Sequence, residues 1–138
     1  MANAIYPKWK EALLSGSADS ALTGSGTTGL FAALVDTGLY TYNASHEFYS
    51  SLAGIAGTPM EITAVTRTNG IVDGNDVIYL AVPAGNNLEA IVLFRKNAGA
   101  SGTWRLVTYL DANVTGLPVL PNGGDITVVW NAAGIFGL

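Results

Sequence analysis

The last third of the chain constrains the fold most. Two apolar, β-branched runs, 104–111 (WRLVTYLD) and 125–131 (DITVVWN), flank a connection punctuated by Gly116, Pro118, Pro121, Asn122, Gly123 and Gly124. Proline sets φ and removes an N–H donor, while glycine opens positive φ, so such a connection is a corner between strands and neither run continues into a helix. The same rhythm recurs upstream. Residues 30–36 form a continuous apolar run that reads as a buried strand, and Tyr40-Thr41-Tyr42 continues in extended form. Residues 61–68, 77–82 and 88–96 read as further strands, separated by Asn69-Gly70, by Pro83 to Asn87 and by 97–102. Six or seven strands with turn chemistry between them predict a mainly β domain, an antiparallel β-sandwich or barrel-like fold. Its expected core is Leu34, Val35, Ile62, Val77, Ile78, Leu80, Ile91, Leu93, Leu106, Val107, Ile126, Val128 and Trp130.

Helical signals are short. Over 6–14, Pro7 suits a first helical position and Gly16 a position just past the end, with Ile5, Trp9 and Leu13 in one stripe. A helix of that length is marginal alone and must dock. A second short helix is expected over 45–52, ended by Gly54, Gly57 and Pro59. Between them, 17–29 is a small-residue tract that reads as a flexible loop. The predicted organisation is an N-terminal helix or arm over 1–16, this loop, and an antiparallel β domain over 30–138.

At 138 residues the chain is sized for one domain. Charged residues are 12% of it, against about 25% in a typical soluble domain, and hydrophobic ones 49%. So little charge leaves a free monomer poorly dispersed and favours burial of its surface against other subunits. The net charge of −4 and six scattered cations give no basic footprint for nucleic acid. No apolar run approaches the roughly 18 residues of a membrane span. Lys8, Lys10 and Glu11 interrupt any leader-like apolar segment, which predicts a protein made in a cytoplasm. The absence of cysteine removes disulfides, zinc knuckles and thiol nucleophiles.

The chemistry-bearing residues form no set. His46 is the single histidine, and Glu47 beside it would diverge on a helix. Gly24-Ser25-Gly26-Thr27-Thr28-Gly29 matches a phosphate-binding glycine pattern but lacks a strand before it and a helix after it. Asp73-Gly74-Asn75-Asp76 lacks the glycine and glutamate of a calcium-binding hand at the sixth and twelfth positions, which hold Ile78 and Ala84. Glu61, Glu89, Asp111 and Asp125 could pair as acid and base only if the fold brings two together. The reading is therefore not an enzyme, with no cofactor and no metal. Trp104 and Trp130 fall on strands and are expected in the core, whereas Trp9, on a short helix, is expected as an interface anchor.

Several segments carry a resemblance. Thr115-Gly116-Leu117-Pro118-Val119, then Pro121-Asn122-Gly123-Gly124-Asp125-Ile126 and Trp130 before a short apolar tail, resemble the ending of a family of small structural proteins of tailed-bacteriophage particles. Ala2-Asn3-Ala4-Ile5-Tyr6-Pro7-Lys8, Lys10-Glu11-Ala12-Leu13-Leu14, Leu34-Val35-Asp36-Thr37, Tyr40-Thr41-Tyr42 and His46-Glu47-Phe48 resemble its opening and middle. The likeness is weakest over 17–29, where that family carries a shorter connection. It implies a virion structural protein. The leading expectation is a capsid decoration or cement protein on the capsid surface, binding the major capsid protein and itself as a dimer or trimer, with no nucleic acid and no membrane. The alternative is a tail or baseplate accessory, or a host-surface or sugar-binding module of the virion. The expected contacts are Ile5, Tyr6, Trp9 and Leu13 near the N-terminus and Ile135, Phe136 and Leu138 in the tail.

Overall fold

The structure, a computed structural model, describes residues 3–24, 26 and 28–138. Met1 and Ala2 of the predicted arm, and Ser25 and Thr27 of the predicted loop, lie outside the described residues.

The fold is mainly β. Nine antiparallel strands are described, three of them only two residues long: β1 (Ala4–Ile5), β2 (Gly29–Val35), β3 (Ile55–Glu61), β4 (Ile71–Val72), β5 (Val77–Tyr79), β6 (Ala90–Lys96), β7 (Arg105–Leu110), β8 (Ile126–Val128) and β9 (Phe136–Gly137). One α-helix, α1 (Pro7–Leu14), and four short 3-10 turns complete the elements. Five strands form the main sheet in the order β1-β7-β6-β2-β3, and two ribbons, β4 with β9 and β5 with β8, stand apart from it.

The apolar run at 30–36 becomes the centre of this sheet. Every residue of β2 is buried, as expected for a strand covered on both faces. It pairs with β6 without a break from Gly29↔Lys96 to Val35↔Ala90. Directly opposed Phe31 and Phe94 start an aromatic layer, in which Phe94 meets Tyr49 at 4.6 Å and stacks on Trp104 at 5.8 Å. Lys96 lies 5.0 Å over both Phe31 and Trp104, so its charge is placed on ring faces. β5 lies alongside β3, and the buried Tyr79 hydroxyl donates to the Ala32 carbonyl at 2.7 Å, tying the β5–β8 ribbon to the main sheet.

Several expectations are corrected. The run 77–82 alternates only through β5: Val77 and Tyr79 are inside, while Ile78 and Leu80, placed in the core by their chemistry, are 48% and 67% exposed, and Val82 turns back inside after Ala81 at φ +47. A two-stranded ribbon has one covered face, so the period of two decides and not hydrophobicity. Gly54, Gly57 and Pro59 do not end a helix. Gly57 and Pro59 lie within β3, an edge strand, where 57–59 bulge opposite Ala33 between the pairs Ala32↔Met60 and Leu34↔Ala56. The strand expected over 61–68 therefore starts earlier and stops at Glu61. No helix covers 45–52. Phe48 bridges Arg105 in extended form, and only Tyr49–Ser51 turns as 3-10. Competing local bonds explain this: Asn43 Oδ1 takes both the amide and the hydroxyl of Ser45, and Trp104 O takes the Tyr49 amide. Tyr40-Thr41-Tyr42 joins no strand.

α1 forms where expected. Its end is a Schellman turn: Ser17 N–H bonds Ala12 O at 3.0 Å, Gly16 N–H bonds Leu13 O at 3.2 Å, and Gly16 sits at φ +72. The hairpin at Asn69-Gly70 likewise places both residues at positive φ, and Thr66 and Asp73 exchange backbone bonds beneath it. The 17–29 segment is held at several points. Ala18–Ser20 is a 3-10 turn, Leu22 is buried, and Gly26 N–H donates to Glu61.

Candidate interaction surface

Several chemistry-bearing groups in this fold are hydrogen-bonded into turns and strand ends. Asp36, buried beside Gly38, accepts from the Gly38 amide and from Asn86 Nδ2. Asp76 Oδ1 accepts the Trp130 amide and Asn75 O accepts the Trp130 indole N–H, so the turn that resembles a cation loop is a cradle for a tryptophan. Gly74 fits there because a Cβ would lie 2.5 Å from Ile62. Asp125 Oδ1 accepts the Ala81 amide. Arg105 bridges Asp19 at 2.8 Å and Glu47 at 2.9 Å over the ring of Phe48. Burial pulls the Asp19 carboxyl upward, but hydrogen bonds from Arg105 and Ser17 outweigh it and hold it below its ordinary range. Burial likewise disfavours the Arg105 cation, and its two carboxylate partners more than restore it.

His46 closes a hydrogen-bonded line. Tyr6 and Tyr40 hydroxyls lie 2.7 Å apart, and Tyr40 Oη lies 2.9 Å from His46 Nδ1. Burial first, then the neighbouring Tyr40, pushes the Tyr6 hydroxyl far above its usual range. This line fixes the 40–46 segment against α1's entry. Among the described residues no group of three His, Asp or Glu is placed to hold a metal ion, and no helix is long and apolar enough to cross a membrane.

The seven expected contact residues divide. Trp9 is 1% exposed, its indole N–H donates to Ser20 O at 2.8 Å, and its ring meets Phe136 edge-on at 5.9 Å. Tyr6 and Ile135 are also buried. These three are core within this chain, and Trp9 is not the exposed anchor that its short helix suggests: the 3-10 turn at Ala18–Ser20 brings an acceptor to the indole. Ile5, Leu13 and Phe136 are partly buried, and Leu138 is 65% exposed.

The helix and the tail nevertheless meet. Leu138 N–H bonds Gly70 O, and β9 pairs with β4 through Val72↔Phe136 and Ile71↔Gly137. Trp9, Leu13, Leu22, Val72 and Leu138 then line one largely apolar groove of about 310 Å³, with Arg67, bonded to Leu22 O, at its edge. Leu14, 88% exposed, follows Leu13 on the same helix. A second apolar surface, missed in the sequence, is the outer face of the β5–β8 ribbon, where Ile78, Leu80 and Val129 are exposed. Alternation from the buried Val77 and Val128 was the signal that could have found it.

A cleft of about 380 Å³ is different in character. Tyr40, Tyr42, Tyr109, Glu89, Asp111 and Pro118 line it with Thr37 and Thr41. Of the four carboxylates weighed as possible acid–base pairs, the fold brings Glu89 and Asp111 to this cleft, whereas Glu61 and Asp125 serve turns elsewhere. No family model, curated protein or solved structure matches the chain.

Proposed function

We propose that this chain is a structural subunit of a tailed-phage particle, a capsid decoration or cement protein that binds the major capsid shell from outside as a small homo-oligomer. The resemblance of its termini and middle to that family supports the reading. The structural observation that carries it is the exposed apolar surface just described: apolar side chains stand out at the helix–tail groove and on the β5–β8 ribbon, while several groups able to do chemistry are tied into turns and strand ends. Apolar surface of this kind marks contact with other macromolecules. A protein that binds only the assembled shell stabilises it by mass action, and symmetry repeats a moderate contact many times.

Two measurements test this. A shell protein is present at hundreds of copies per particle, and a tail or baseplate accessory at a handful, so quantitative mass spectrometry of purified virions separates the two. Co-sedimentation with bare heads tests the surfaces. Leu14→Asp with Leu138→Asp, or Ile78→Asp with Leu80→Asp, should release the protein from heads without unfolding it. Full binding by both variants would refute the contact assignment.

A further inference from the structure

The cleft beside β7 has features of a binding site that the two apolar surfaces lack. Its aromatic wall is rigid. The Tyr42 ring leans on Tyr6 at 5.0 Å and on Tyr109 at 5.7 Å, so it is held before any ligand arrives. Its acceptor is also fixed. Glu89 Oε2 takes the Thr37 amide at 2.9 Å and the Thr37 hydroxyl at 3.0 Å, and these bonds use one of the two carboxylate oxygens. An ionised carboxylate accepts only, so a complementary ligand must bring donors. The exposed Thr41 and Pro118 complete the rim with a hydroxyl and an apolar ring. The volume, about 380 Å³, falls within the range of small-molecule clefts.

A ligand suited to this lining has a flat apolar face to lie on tyrosine and proline and hydroxyl groups around its edge to donate to Glu89. We infer that the cleft between Tyr42, Glu89 and Pro118 binds a neutral saccharide ring. A sugar pyranose offers both features in one ring. A wholly apolar ligand would bring no donor to the second oxygen of Glu89, which the Thr37 bonds leave unused. The inference holds wherever in a particle the subunit sits, so it stands or falls separately from the capsid reading.

The test is an NMR titration of the intact protein with N-acetylglucosamine, galactose, chitobiose and lactose, and with choline as a cationic competitor. The expected result is saturable shifts at Thr41, Tyr42 and Tyr109 with at least one saccharide. Glu89→Gln, whose amide oxygen can still accept from Thr37, should weaken that binding about tenfold while leaving the unfolding midpoint unchanged. Tyr42→Leu should remove it. No saccharide-induced shift in the wild-type cleft would overturn the inference. So would shifts confined to the β5–β8 ribbon, unchanged affinity in Glu89→Gln, or choline binding the cleft more tightly than every sugar.

Discussion

Replacing Trp9 decides whether the N-terminal helix is an arm or part of the core. Trp9→Ala should destabilise the isolated protein by about 3–5 kcal/mol, the range for removing a large aromatic from a packed interior. Three contributions make up the figure. The edge-on contact with Phe136 at 5.9 Å accounts for about 0.5–1.5 kcal/mol. Loss of the indole bond leaves the Ser20 carbonyl without that donor, in a residue only 2% exposed, at about 1–3 kcal/mol. The emptied volume beside Leu22 and Val72 supplies the rest. Trp9→Phe keeps a ring and loses the bond, so it should cost about 1–3 kcal/mol. Leu14→Ala, five residues further along the same helix and 88% exposed, should stay within about 0.5 kcal/mol. Urea unfolding followed by circular dichroism measures all three, and each kcal/mol should move the thermal midpoint by roughly 3 °C. A Trp9→Ala cost below about 1 kcal/mol would refute the burial argument and return Trp9 to the surface.

Other perturbations address other parts of the fold. Gly116 sits at φ +107, and a Cβ there would overlap the Thr127 carbonyl oxygen, so Gly116→Ala should cost about 2 kcal/mol or more in the same unfolding assay. Arg105→Met should cost about 1–3 kcal/mol, because Asp19 and Glu47 lose their shared partner; a cost unchanged in high salt would show that packing on Phe48 is the whole effect. Burial first, then the charge of Asp111 and a hydrogen bond with it, pushes the Tyr109 hydroxyl up to about 12 from an ordinary 10.0. A group whose pKa is raised by folding contributes stability that is complete below its unfolded value, so this contribution should be present below pH 10 and lost as pH rises from 10 toward 12, read as tyrosinate absorbance coincident with unfolding. Asp19 has the opposite sign: held low by Arg105 and Ser17, it contributes above its ordinary 3.8 and should lose that contribution as pH falls below it.

What was legible in the sequence is what one physical rule controls. A continuous apolar run only seven residues long and flanked by turn residues names β2, because its length suits a strand covered on both sides better than a buried helix. Pro7 and Gly16 bracket α1, since one lacks a donor that the helix start does not need and the other accepts positive φ. Ile78 and Leu80 go astray on hydrophobicity alone: a short ribbon has an uncovered face, and alternation with Val77 and Tyr79 puts them on it. The 45–52 segment misled because Phe48 and Leu52 are four apart, whereas its structure is set by Arg105 and Trp104 far along the chain. Trp9 misled for the same reason: the acceptor that buries it belongs to a tract with no strong periodicity of its own. The cleft was invisible because Thr37, Tyr42, Glu89, Tyr109 and Pro118 come from four separate stretches joined only by the fold.

The interrupted margin of the main sheet has a consequence for assembly. On one flank β3 is broken by 57–59, with a proline that offers no amide, and on the other β1 is two residues long. Neither flank of the main sheet offers a long unbroken template among the described residues, so zipping of crowded copies through that sheet is disfavoured. That favours recognition between neighbours through side-chain surfaces, whose shape limits how many can gather and lets the cluster stop growing.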